Sequence, residues 1–275
     1  LHKNRWERMN VLDLFSGIGG FSLGLESTGF FKTIAFVEKD KFCQKVLQKN
    51  FPNIPIEDEV RNVKGERYAA DIITSGFPCQ PFSVAGKRRG TDDDRFLWNE
   101  TIRIVSEQKP KWFIGENVDG IINIQDGMVF RQIHDDLESE GFEVQSLVIP
   151  ASGVGAWHQR KRVWIIGCNV SNTQRNEHQH STIRQSRANE VWGFYSKKEK
   201  QTTHDIRSKT SRCDGVSGTQ SWWETQSDIL RNVDGLSTGL DKDRANRIKS
   251  LGNSIVPQIA REIGKAIMEA EIGKE

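Results

Sequence analysis

This sequence predicts an α/β fold built on a doubly wound, mostly parallel sheet, and three observations predict it. Short apolar runs that read as strands alternate with helix-patterned stretches from Asn10 to Gly167. A glycine-rich turn, "SGIGG", joins the first strand to the first helix, at the strand end where open α/β sheets bind ligands. After Gly167 the composition turns polar, and a regular amphipathic helix returns only near the end, so a small second region interrupts the first.

Taken in order, "VLDLF" is a short buried strand and "GFSLGLESTG" a helix ending at Gly29. "TIAFVE" is the second strand. Asp40 caps the next helix, "KFCQKVLQKN", with Phe42, Val46 and Leu47 on one face. "DIITS" is a strand, and "FLWNETIRIVSEQ" a helix that Pro110 stops. "WFIGE" is a strand, and "MVFRQIHDDLESEG" a helix on Val129, Ile133 and Leu137, closed by Gly141. "FEVQSLVIP" and "RVWIIG" have no helix between them and are expected to pair antiparallel at an edge. "VPQIAREIGKAIMEAE" is a helix with Pro257 in its first turn and Ile259, Ile263 and Ile267 as its buried stripe. The domain expectation is 9–167, with 245–275 returning to it, and a small loop-rich region over 168–244.

The bulk numbers narrow the function. With 275 residues and a formal net charge of +2, a nucleic-acid partner would need the basic side chains gathered on one face. The four cysteines, Cys43, Cys79, Cys168 and Cys213, form no CxxC pair, so neither a zinc site nor a disulfide framework is expected, and no metal. No signal peptide or long apolar run is visible, and a soluble, cytoplasmic monomer without membrane contact is the expectation. Residues 1–8 precede "MNVLDLF" and stay outside the fold reading.

Five stretches could carry chemistry. In "DLFSGIGG", Gly17, Gly19 and Gly20 remove side chains where backbone approaches a ligand, and Glu38, about twenty residues on, can hold both hydroxyls of a ribose. A dinucleotide, an adenosyl ligand without phosphate, and a plain tight turn all remain open, since the spacing is G-x-G-G. In "GFPCQPFS", Pro78 and Pro81 stiffen the backbone around Cys79 at a strand end. A thiol with a free pKa of about 8.5 needs cationic neighbours to act as a nucleophile. Glu116 in "GENV" would stand beside Cys79 on a parallel strand. Arg160 and Arg162 in "HQRKRVW" alternate on an extended segment and so point the same way. "SLGNSIVP" places Gly252 and Asn253 in a turn before the last helix.

In order and spacing, "DLFSGIGGF", "GFPCQPFS", "ENV", the R-x-R of "HQRKR" and "GNSIVP" resemble the signature blocks of the DNA (cytosine-5) methyltransferases, over residues 10–167 and about 245–270. The resemblance implies the fold of S-adenosylmethionine-dependent methyltransferases with a small target-recognition domain, a double-stranded DNA partner, and S-adenosyl-L-methionine as cofactor, leaving S-adenosyl-L-homocysteine. It implies that Phe15 stacks on adenine, Gly17, Gly19 and Gly20 shape the turn around the methionine part, Glu38 binds ribose, and Asp58 or Glu59 accepts from the adenine amino group. It implies that Cys79 attacks carbon 6 of cytosine, Glu116 holds ring nitrogen 3 and the amino group, Arg162 holds the ring carbonyl, Arg160 binds phosphate or steadies Glu116, and Asn253 supports the catalytic loop. Phe77, Pro78, Gln80, Ser83 and Asn117 are the further substrate-side candidates, Phe77 also on the cofactor side. "AGKRRGTDDDR" matches the mobile loop that closes over DNA.

The sequence departs from the family pattern at His158, Lys39 and Glu59. The short insert resembles a compact, phage-borne branch acting in a bacterial or phage-infected cell. Its candidate readers are Arg184, Arg187, Trp192, Lys197, Lys198 and Arg207. An RNA cytosine-5 methyltransferase and an inactive DNA-binding regulator are the alternatives.

Overall fold

The first strand, β1 (Met9–Leu14), is buried along nearly its whole length, which fits a central strand covered on both faces. A computed structural model describes residues 7–78, 97–170 and 243–273. Beside β1 lie β2 (Phe31–Val37), the two-residue β3 (Ile56–Glu57), β4 (Ile72–Ser75), β5 (Trp112–Val118), β6 (Phe142–Ile149) and β7 (Arg162–Asn169), in the order β3-β2-β1-β4-β5-β7-β6. The first five pair in parallel, whereas β7 runs antiparallel to both β5 and β6. The hairpin of β6 and β7 matches the expected antiparallel pair. The insertion of β7 between β5 and β6 was not foreseen, and it extends β5 to Val118 through the pair Val118↔Arg162.

Strand order reverses at β1. The chain builds outward through β2 and β3, then returns to the other side of β1 as β4. Such a switch point leaves a crevice at the carboxyl ends of β1 and β4, where open α/β sheets hold ligands. "SGIGG" follows β1 there, and "GFP" follows β4.

Consecutive residues along the strands enter opposite cores, as a two-residue side-chain period requires. Leu12, Ile73, Phe113 and Val163 join Trp98, Ile104 and Ile133 on one face. Val11, Ile72, Ile114 and Trp164 join Phe21, Leu25, Ile259 and Ile263 on the other. The helices are α1 (Gly20–Glu26), α2 (Lys41–Asn50), α3 (Trp98–Gln108), α4 (Met128–Ser139), α5 (Arg244–Asn253) and α6 (Pro257–Ile272). The stripes of α4 and α6 are those predicted: Val129, Ile133 and Leu137, then Ile259, Ile263 and Ile267. Within 1–175 and 250–275, the described residues belong to one compact unit.

Three local readings change. Helix α1 stops at Glu26 because the Ser27 and Thr28 hydroxyls bond back to the carbonyls of Gly24 and Leu25. Asp40 does cap α2, accepting from the amides of Phe42 and Cys43, but the buried residues are Cys43 and Leu47, with Phe42 and Val46 half-buried. Asn253 is the exposed last residue of α5, not part of a turn opening the last helix; Val256 caps α6 instead. The helix-forming run "RANRIKSL" carries the helix through Gly252.

Candidate active site

Just past β1 the backbone enters the left-handed region at Phe15 (φ 54°), Gly17 (φ 56°) and Gly19 (φ 87°). Ser16 anchors this turn: its hydroxyl donates to the carbonyls of Asp13 and Val37 and accepts from the Val37 amide. Glu38, at the end of β2, clasps the turn from outside. One carboxylate oxygen accepts from the Gly17 amide at 2.7 Å, the other from the Asp40 amide at 2.7 Å. Burial pushes the Glu38 carboxyl above its ordinary pKa, against the pull of those two amides.

The three glycines do different work. Among the described residues, a Cβ at Gly17 would meet no atom within 4 Å, so this position is open on that side. At Gly19 a Cβ would stand 2.8 Å from the Phe51 ring, and at Gly20 2.8 Å from the Ile255 carbonyl oxygen. At Gly19 and Gly20 the missing side chain allows packing on α2 and on the segment before α6. Phe15, half-buried, lies against the core. Asp58 is 68% exposed and 3.9 Å from Lys41. Glu59 is 24% exposed, 3.5 Å from Lys39, and caps the short 3-10 turn Val60–Asn62.

On the other side of the crevice, Glu116 projects from β5 with its side chain only 12% exposed. It pairs across the ladder with Trp164, so Arg162 is its diagonal neighbour on β7. The Arg162 Nε lies 3.1 Å from Glu116 Oε1. Arg160 is not on the extended strand as expected. It has φ 33°, and its Nη2 donates to the Ser254 carbonyl at 2.8 Å. Burial raises the Glu116 carboxyl to about 7, and the charges of Arg162 and then Arg160 oppose that rise. A carboxyl poised there can hold or give a proton near neutral pH.

Beyond β4, the Phe77 ring is buried against Trp98 at 5.0 Å, so only its backbone faces the crevice end of the strand. Its carbonyl accepts from Asn117 Nδ2 at 2.9 Å. Asn117 is itself buried, and its Oδ1 accepts from the Val118 amide. Pro78 is half-buried. Cys79, Gln80, Ser83 and the recognition candidates Arg184, Arg187, Trp192, Lys197, Lys198 and Arg207 lie outside the described residues.

Sequence reasoning missed Asp13. It sits in β1, fully buried, with Oδ1 accepting from Thr74 Oγ1 at 2.8 Å and Oδ2 from Ser22 Oγ at 2.8 Å. Burial lifts its carboxyl to about 7, opposed by Ser22 and Thr74. The available signal was an acid inside an otherwise apolar strand. Among the described residues no cluster of His, Cys, Asp or Glu could hold a metal, and no helix is long and apolar enough to cross a membrane.

Known proteins place this geometry. A model described as C-5 cytosine-specific DNA methylase matches residues 9–242. The type II methyltransferase M.Bsp6I of Bacillus sp. (strain RFL6) is 39% identical over 163 residues, covering 58% of this chain and 52% of that one. M.BsuFI of Bacillus subtilis is 35% identical over 166 residues, covering 60% and 40%. This chain thus spans about half the length, or less, of these curated relatives. A mutant of Spodoptera frugiperda DNMT2 superposes with TM-score 0.54 at 25% identity, covering 62% of this chain and 54% of that one. An E. coli protein described as a DNA modification methyltransferase encoded within a prophage superposes with TM-score 0.52 at 30% identity, covering 62% and 49%. The seven-stranded, mostly parallel sheet is that of S-adenosylmethionine-dependent methyltransferases.

Proposed function

This chain belongs to the C-5 cytosine-specific DNA methylase family, and on that premise we propose that it methylates carbon 5 of a flipped-out cytosine at a specific site in duplex DNA. The observation that carries the reading is Glu116: a buried carboxyl raised to about 7, with the Arg162 guanidinium 3.1 Å away.

Members of the family use S-adenosylmethionine, and the turn after β1 suits it. Gly17 is open on its side-chain side among the described residues, Glu38 presents carboxylate oxygens to ribose hydroxyls, Phe15 offers a ring for adenine, and Glu59 is the less exposed of the two acids proposed for the adenine amino group. When bound, the cofactor supplies a methyl group on a positively charged sulfur.

The protein's own groups do the rest. Carbon 5 of cytosine is a poor nucleophile, so the Cys79 thiolate adds to carbon 6, forming an S–C bond and moving the double-bond electrons toward carbon 5. Glu116 gives its proton to ring nitrogen 3 and steadies the amino group, while Arg162 holds the ring carbonyl. Carbon 5 takes the methyl group. A base then removes the carbon 5 proton, the electron pair expels the thiolate, and nitrogen 3 returns its proton. Arg160 and Arg162 favour the thiolate by charge. Asn117 steadies the Phe77 carbonyl on the approach to Cys79, and Asn253 supports the loop from the last residue of α5. Flipping the base out costs a few kcal/mol.

A target-recognition region over 168–244 that contacts DNA through its own basic residues fits the polar composition there, while Gln80 and Ser83 contact DNA from the block around Cys79. Likeness to the prophage-encoded structure supports the compact, phage-type branch, and the bacterial relatives support a bacterial or phage-infected bacterial cell; a cytoplasmic monomer completes the reading.

The test is direct. The protein is incubated with labelled S-adenosylmethionine and mixed-sequence duplex DNA, in parallel with transfer RNA, and the digests are searched for 5-methylcytosine. Product in DNA that vanishes in Cys79→Ser supports the reading. No product, product in RNA alone, or product that survives Cys79→Ser overturns it.

A further inference from the structure

Asp13 lies outside the groups that the proposed reaction uses, yet it touches both halves of the crevice. Its two carboxylate oxygens diverge. One takes the hydroxyl of Ser22, in the first turn of α1, and the other that of Thr74, in β4. Below the turn, the Asp13 carbonyl accepts from Ser16. Next to Thr74, the Gly76 amide donates to the Leu14 carbonyl at 3.3 Å, and from there the chain runs to Phe77 and Pro78. Nothing else among the described polar side chains spans β1, α1 and β4 in this way.

We propose that Asp13 is a positioning residue that fixes the end of β4, and with it the approach to Cys79, against the turn that receives S-adenosylmethionine. This rests on the proposed function for the identity of the two sites.

Physical chemistry favours geometry over stability as its role. A carboxyl with 0% exposure is costly to bury, and an apolar side chain would bring β1 and β4 together at lower cost. A carboxylate's two divergent acceptors hold two hydroxyls from two different elements at set distances, which an apolar side chain cannot do. Burial is the main cause that disfavours the charged form of Asp13, and Glu38, the acid that clasps the same turn, adds to it. A shared two-armed element of this kind couples two sites, and coupling is reciprocal.

The experiment reads the coupling without relying on turnover. The alkylation rate of Cys79 by iodoacetamide is followed by peptide mass spectrometry, with and without saturating S-adenosylmethionine. Affinity for the cofactor is measured calorimetrically in the same proteins. In the unaltered chain the cofactor should change the alkylation rate by about fivefold or more, a coupling of ordinary size. In Thr74→Val the ratio should fall to near one while cofactor affinity stays within about twofold. In Ser22→Ala affinity should fall several-fold. Thr74→Ser, which keeps the hydroxyl, should restore the ratio. Asp13→Ala combined with Thr74→Val should lose no more coupling than Asp13→Ala alone.

An unaltered chain whose cofactor leaves Cys79 alkylation untouched would overturn the proposal. So would a ratio that survives Thr74→Val, or one that Thr74→Ser fails to restore. Failure of the proposed function has a different signature, absence of 5-methylcytosine from the unaltered protein, and leaves these ratios measurable.

Discussion

Glu116 sits where burial and two guanidiniums pull its proton in opposite directions. Burial wins, leaving the carboxyl at about 7. Arg162→Ala removes a cation that favours the charged form, so the Glu116 pKa rises further. The alkaline limb of the single-turnover pH profile should then move upward, while the rate at its plateau drops by about tenfold or more through loss of the contact proposed between Arg162 and the base. Arg162→Lys should shift the limb less, since it keeps the charge but loses the fork of donors. Glu116→Gln should cost about a hundredfold to ten-thousandfold in rate, with DNA affinity little changed. At this scale the sequence is uneven. Glu116, Glu38 and Arg162 are legible because they stand in compact blocks at strand ends. Asp13 is not, because the hydroxyls that meet it come from 9 and 61 positions away, and no local pattern marks such a meeting. Nor does local pattern foresee that Gly19 and Gly20 pack closely against Phe51 and Ile255, which arrive from distant segments.

Helices α1 and α6 meet through glycine. A Cβ at Gly24 would come within 2.7 Å of Ala260 Cβ and 3.0 Å of the Arg261 amide nitrogen, and one at Gly264 within 2.9 Å of Leu25. Much of that opposing surface is backbone or a short side chain, so it cannot move aside. Gly24→Ala should destabilise the protein by about 1–3 kcal/mol in urea unfolding, despite the better helix propensity of alanine. Ile263→Ala, which empties the centre of the same contact, should cost about 2–5 kcal/mol. Elements with a clean period were readable: α4 and α6 show the predicted stripes residue for residue. The strand β7 was readable as a strand but not in its place, because choice of a neighbour is a tertiary decision. That choice matters for chemistry. Running antiparallel to β5, β7 begins where β5 ends, and this brings Arg162 to the same end of the sheet as Glu116.

Across the molecule, two buried acids give stability an unusual dependence on pH. Asp13 and Glu116 both rise to about 7, from ordinary values of 3.8 and 4.5. Well below these ordinary values both are protonated whether the chain is folded or not, so their burial brings no charge penalty. As pH rises, the unfolded chain releases these protons first, so the stability they contribute is lost progressively until the folded groups ionise near pH 7. The melting temperature should therefore fall between about pH 5 and 7, and Asp13→Asn should flatten the slope; calorimetry across that window reads both. The fold class, with its two-sided core and switch point, follows from alternation of strand and helix and was legible throughout. The parts that join distant segments were not, and the last of these has a bearing on how the protein is made. Gly20 and Gly24 pack against Ile255, Pro257 and Ala260, residues that leave the ribosome more than two hundred positions later. At ordinary translation speeds the first turn of the chain waits on the order of ten seconds or more for its covering helix. Until then the side of α1 that packs on α6 stands bare, and a nascent chain halted before Val256 should be held by chaperones instead of retaining S-adenosylmethionine.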